Sequence, residues 1–145
     1  MDLVADPWSD PLVAERILRS FRVWAVVGCS SDPSHASHGV SRYLLRQGYE
    51  VVPVNPNEAR VHGRAAYPDL RALPREPAIE VVDIFRRPDA VLPHVEEAID
   101  IGAKAVWMQL GVWNQEAAEL AAHAGLLVVM NRCPAIDHPQ MVGAG

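Results

Sequence analysis

The sequence predicts an α/β fold, a single five-stranded parallel sheet covered by helices on both faces. Three observations carry this expectation. Five short apolar runs alternate with segments whose apolar residues recur at helical spacing. Gly48, Gly102 and Gly125 close three of those segments just before the next run begins. The runs are continuously apolar rather than alternating, as in strands buried on both faces.

The elements follow in order. Asp10 is placed to cap an N-terminal helix, with Pro11 at the first helical position, where no N–H is needed. Leu12, Val13, Ile17 and Leu18 mark its expected buried face. The first strand is 23–27, and a helix over 37–47 leads to a second strand over 49–54. Pro53 is a flaw in that strand, because it cannot donate to a ladder, but the loss is tolerable near a strand end. Residues 58–77 carry three prolines and form the least regular segment, with a short helix expected around 68–73. A third strand covers 80–85. Pro93 makes the next helix start late, near Leu92. The fourth strand is 104–108. Asn114 should cap the following helix, with Glu116 in its first turn, ahead of a fifth strand at 126–130 and an irregular tail. Short connections and right-handed crossovers suggest a Rossmann-like sheet of order 3-2-1-4-5. Ligands of such sheets lie at the carboxyl ends of the strands, where the order reverses, here expected between strands one and four.

The chain of 145 residues is long enough for one domain, with 1–22 as a helix packing on the core and 23–145 as the binding domain. A net charge of −5 argues against a nucleic-acid binder, which needs a basic face to displace counterions. No run approaches the roughly 18 apolar residues of a membrane span. The acidic start, Met1 to Asp6, lacks the basic region of a signal peptide. Two distant cysteines make no disulfide framework, and a cytoplasmic protein is expected.

The candidate ligand residues follow the strands. After the first comes Gly28-Cys29-Ser30-Ser31-Asp32-Pro33-Ser34-His35-Ala36-Ser37-His38-Gly39. It is not the G-x-G-x-x-G fingerprint, yet a glycine-broken, hydroxyl-rich loop ahead of a helix suits a phosphate. Asn55 stands at the end of strand two, where an NAD site usually places a carboxylate for the ribose, and Glu58 lies beyond it. That weakens NAD and leaves a phosphorylated ribose open, with Arg60 or Arg64 as the partner. Arg86 and Arg87 follow strand three and could clamp phosphate, or serve one surface carboxylate and the solvent. Gln109 and Gly111 follow strand four. Trp107 and Trp113 are read as packing or interface residues. Asp137 and His138 are not expected to converge as a dyad, and the six histidines show no metal-ligand spacing. Cys29 is expected to be a small packed thiol, though a helix N-terminus beside it could make it reactive.

Taken together, the run from Gly28 to Ser34, Tyr43-Leu44-Leu45, Gly48-Tyr49 and Val52-Pro53-Val54-Asn55-Pro56-Asn57 resembles the small stand-alone CoA-binding proteins of bacteria and archaea. So do Val82-Asp83-Ile84-Phe85-Arg86-Arg87, the stretch Gly102 to Gly111, and Asn131-Arg132-Cys133. The resemblance runs from about Val23 to His138. These proteins are similar in turn to the CoA-binding domain of the succinyl-CoA synthetase alpha subunit. The resemblance implies that coenzyme A lies across the strand edge. Its diphosphate would sit near Ser30, Ser31 and Ser34, and its adenosine end by Asn55, Pro56 and Asn57, with Phe85, Arg86 and Gln109 lining the remaining groove. Gly28, Cys29, Pro33 and His38 complete the implied cofactor-binding set. Two departures stand out. The family often has lysine after the second proline turn, where this chain has Asn57 and Glu58, and its usual aspartate before Arg-Cys is Asn131 here.

The synthetase's phosphorylated histidine belongs to a following ligase domain, so the expectation is binding of CoA or an acyl-CoA without catalytic machinery. Two alternatives stay open. One is an NADP-linked or acyl-CoA-handling enzyme using Cys29 or His38. The other is an interaction protein, a homodimer contacting through Trp8 or Trp113.

Overall fold

The computed structural model describes residues 7–143. The acidic start, Met1 to Asp6, lies outside the described residues. Helix α1 (Pro11–Ser20) is capped by Asp10, whose Oδ1 accepts from Leu12 N at 2.9 Å. Its buried face is Ala14, Ile17 and Leu18, whereas Leu12 is 74% exposed, against expectation. At about 100° per residue, Leu12 points about 140° away from Ile17. The small residue at Ala14 takes the inward position instead.

A parallel sheet forms from β1 (Val23–Val27), β2 (Glu50–Val54), β5 (Val81–Ile84), β6 (Ala105–Met108) and β7 (Leu127–Val129), in the order β2-β1-β5-β6-β7. Between β2 and β5 lie a two-stranded hairpin, β3 (Arg60–Val61) with β4 (Arg64–Ala65), and a 3₁₀ turn at Leu70–Ala72. The remaining helices are α2 (Ala36–Arg46), α3 (Leu92–Asp100), α4 (Gln115–His123) and α5 (Pro134–Met141). Side chains alternate across the sheet. Trp24 and Val26 join a core with α1, α2 and α5 residues, and Ala25 and Val27 join the opposite core with α3 and α4. Two covered faces explain why the strands are apolar throughout.

The fold class is as the sequence predicts, but the third long strand is not where expected. It pairs with β1, Val82 opposite Ala25, rather than with the second strand. Pro53 supplies the physical reason. Its carbonyl faces away from β1 and accepts from Tyr67 N at 3.1 Å, so the absent donor falls on the outer margin. A strand with that gap suits an edge. The reversal of strand order therefore lies between β1 and β5, and the loops after these two strands flank it.

The tail expected to be irregular is helical. Pro134 occupies the first turn of α5 and Pro139 lies inside it, a pattern that conceals an eight-residue helix from periodicity. The caps expected for α4 are present, with Asn114 Oδ1 accepting from Ala117 N at 2.9 Å. No helix of the described residues is long and apolar enough to cross a membrane.

Candidate functional site

The loop leaving β1 is shaped by Gly28. Its φ is +82°, and a Cβ there would lie 2.4 Å from the carbonyl oxygen of Phe85, the first residue after β5. Only glycine lets the two strand exits approach this closely. Beyond it the loop is held by its own polar groups. Ser30 N donates to Ser37 Oγ at 3.0 Å, Asp32 N donates to Ser30 Oγ at 3.0 Å, and His38 Nδ1 donates to Ser30 O at 3.1 Å. Ser34 donates to Asp32 Oδ1 through its N–H at 2.9 Å and its hydroxyl at 2.8 Å. Ser31 donates to the Glu58 carboxylate through its N–H and hydroxyl, both at 2.8 Å. Pro33 is exposed between them.

The second turn is clipped to the first by Asn55. Its Nδ2 donates to Cys29 O at 3.0 Å and its Oδ1 accepts from Asn57 N at 2.9 Å. Both ends of the Asn55 amide thus serve the scaffold. Pro56 and Asn57 are exposed on the same turn.

The two arginines after β5 divide their tasks. Arg87 Nε pairs with Asp89 at 3.2 Å, while Arg86 makes no hydrogen bond or ion pair among the described residues. Arg86 instead lines a crevice of about 250 Å³ at the carboxyl edge, together with Gly28, His35, Asn55–Asn57, Pro68 and His94. His94 also lines this crevice, although the sequence analysis does not single it out. It sits in the first turn of α3, 3.5 Å from Glu97 Oε1, and burial and then the Arg86 charge push its pKa down. Its position just after the strand-three exit, beyond Pro93, was the available signal.

Other candidates lie apart. Gln109 is buried, and its Oε1 has no hydrogen-bond partner among the described residues. Phe85 approaches the site through its backbone, its N–H donating to Val27 O at 2.9 Å. Arg60 donates to Gly63 O within its hairpin, and Arg64 reaches back to Glu50 at the amino end of β2, so neither lines the crevice. Asn131 Oδ1 accepts from Gly111 N at 2.8 Å and steadies the loop after β6.

Several polar and nucleophilic side chains are engaged within the fold. Cys29 is fully buried, and desolvation pushes its thiol up to about 11, so it is not a thiolate at neutral pH. Asp137 pairs with Arg132 at 2.7 Å, whereas His138 Nδ1 meets Tyr43 OH at 2.8 Å, so the two neighbours part as expected. His62 Nε2 lies 2.9 Å from the buried Ser41 hydroxyl, which already donates to Ser37 O. Among the described residues no three His, Cys, Asp or Glu side chains are placed to hold a metal. A larger cavity of about 410 Å³, lined by Leu70, Arg71, Ile79 and Asp100, opens near the amino ends of β5 and β6, away from the edge where such sheets bind ligands.

Residues 22–139 match the family model described as a CoA binding domain. This chain belongs to that family. The CoA binding domain is 34% identical over 126 residues to the uncharacterized protein YneT of Bacillus subtilis (strain 168), covering 87% of this chain and 91% of the relative. It superposes on a hypothetical protein from Pyrococcus horikoshii OT3 with a TM-score of 0.90 and 38% identity, covering 99% of this chain and 100% of that one. It also matches part of a Ca. Korarchaeum cryptofilum dinucleotide forming acetyl-coenzyme A synthetase 1, solved with phosphate and ADP. That match has a TM-score of 0.67 and 26% identity over 81% of this chain and 28% of the synthetase.

Proposed function

We propose that this CoA binding domain binds coenzyme A, or an acyl-CoA, along the carboxyl edge of its sheet. The observation that carries the reading is Arg86, an exposed guanidinium with no hydrogen bond or ion pair among the described residues, beside a crevice where the strand order reverses. A planar fork in that position favours phosphate oxygens. At about 250 Å³ the crevice is below the range of about 300–1,000 Å³ common for small-molecule pockets. It therefore takes one end of the ligand between Asn55–Asn57 and His94, and the remainder lies across the loop after β1. Ser31 and Ser34 lie on that loop with their donors turned to Glu58 and Asp32, and Ser30, Asn55 and Gly28 hold its shape.

The test is thermal unfolding with CoA, dephospho-CoA and NADPH. Ligand at about 100 times its Kd stabilises a native protein by about 2.7 kcal/mol, which is a rise of about 5–10 °C at this size. CoA should give that rise, dephospho-CoA and NADPH less. Arg86→Ala should keep the unliganded Tm and lose most of the CoA-induced shift. No shift at millimolar CoA, or a larger one with NADPH, overturns the proposal.

A further inference from the structure

The donors expected to receive a phosphate are already engaged by carboxylates of the chain itself: Ser34 by Asp32 within the loop, and Ser31 by Glu58 from the neighbouring turn. The Glu58 carboxylate takes the Ser31 N–H at 2.8 Å and the Ser31 hydroxyl with both of its oxygens at 2.8 Å, across 27 residues of sequence. This is not a loose surface encounter. The turn that carries Glu58 is anchored by Asn55 to the Cys29 carbonyl, and Glu58 N donates to Asn55 O at 3.3 Å. The same clip that builds the crevice therefore delivers the carboxylate to the loop. Charge-assisted bonds of this length are about twice as strong as neutral ones. The two Ser31 bonds hold the Glu58 carboxyl below the usual range, His35 adds to that effect, and the Asp32 charge opposes it.

We propose that Glu58 is the resident anion on the Ser31 donors, and that a ligand phosphate binds there by displacing it. The proposal rests on the CoA reading and adds the residue that sets its affinity. A phosphate brought to Ser31 while Glu58 remains would place two anions within a few ångströms, next to Asp32. Binding therefore requires the carboxylate to swing out, and the loss of its bonds weakens the observed affinity.

The experiment is calorimetric titration of CoA into the native protein, Glu58→Gln and Glu58→Ala, beside NMR of the Ser31 amide. Both variants should bind CoA about tenfold more tightly, a change of about 1.4 kcal/mol. In the free native protein the Ser31 amide should report a carboxyl titrating below the usual Glu value of about 4.3, and saturating CoA should abolish that response. Equal or weaker binding by both variants overturns the role of Glu58 and leaves the CoA reading standing. A Ser31 response that survives saturation does the same. Failure of all three proteins to bind overturns both.

Discussion

Asp83 lies in the middle of β5, between Val26 of β1 and Trp107 of β6, fully buried and with neither carboxyl oxygen hydrogen-bonded among the described residues. Desolvation raises its pKa well above its ordinary value, so the fold favours the neutral acid at Asp83. In the unfolded chain it ionises near about 3.9. Above that pH the unfolded state holds one proton fewer than the native state, so stability falls as pH rises until the folded pKa is reached. The slope for one such group is about 1.4 kcal/mol per pH unit. Asp83→Asn removes the titration and keeps the shape. His62, His94 and His138 have lowered pKa values and push the other way below their ordinary value, but they are common to both proteins and cancel in the difference. Urea unfolding at pH 5, 6 and 7 measures that difference. The stability of Asp83→Asn relative to the native protein should grow as pH rises through this range, by up to about 1.4 kcal/mol per pH unit for as long as the pH stays below the folded pKa. The absolute value at one pH is not the test, because the amide brings unpaired donors of its own. A difference independent of pH would mean that Asp83 is ionised in the fold, and the reasoning fails.

Three further substitutions probe the frame around the crevice. Gly28→Ala combines a left-handed φ with a clash against the Phe85 carbonyl, and should cost at least about 2 kcal/mol. Gly63→Ala, also at positive φ but facing open space, should cost about 1 kcal/mol; equal losses in denaturant melts would refute the close-approach argument. Arg132→Ala leaves Asp137, 4% exposed, without its two bonds at 2.7 and 3.0 Å, and frees the Ser9 carbonyl. It should lose about 3 kcal/mol by the same measurement, whereas a loss under about 1 kcal/mol would show the pair to be idle.

Much of the architecture was legible because it depends on local chemistry. The Asp10 and Asn114 caps and the five apolar runs are written in neighbouring residues, and each appears within a residue or two of its expected place. Strand order depends on pairings between distant segments, and the one local clue to it is Pro53, which marks an edge. Helix α5 was hidden by Pro134 and Pro139. At the site, sequence identified the loops but not the partners of each side chain. Nothing near Asn55 indicates that its amide is spent on Cys29 and Asn57, and nothing near Ser31 announces Glu58. The split between Arg86 and Arg87 follows only from the position of Asp89. His94 reaches the crevice from the first turn of α3, a helix start rather than a strand exit.

The placement of Pro53 also bears on how the molecule behaves in a crowd. Tyr67 donates to the Pro53 carbonyl at 3.1 Å and accepts from Asn55 N at 2.8 Å, so the carboxyl half of the outermost strand has its hydrogen-bonding groups engaged. An incoming extended peptide finds neither a donor at the proline nor a vacant acceptor beside it. The flank next to the crevice is thereby denied to strand-wise polymerisation.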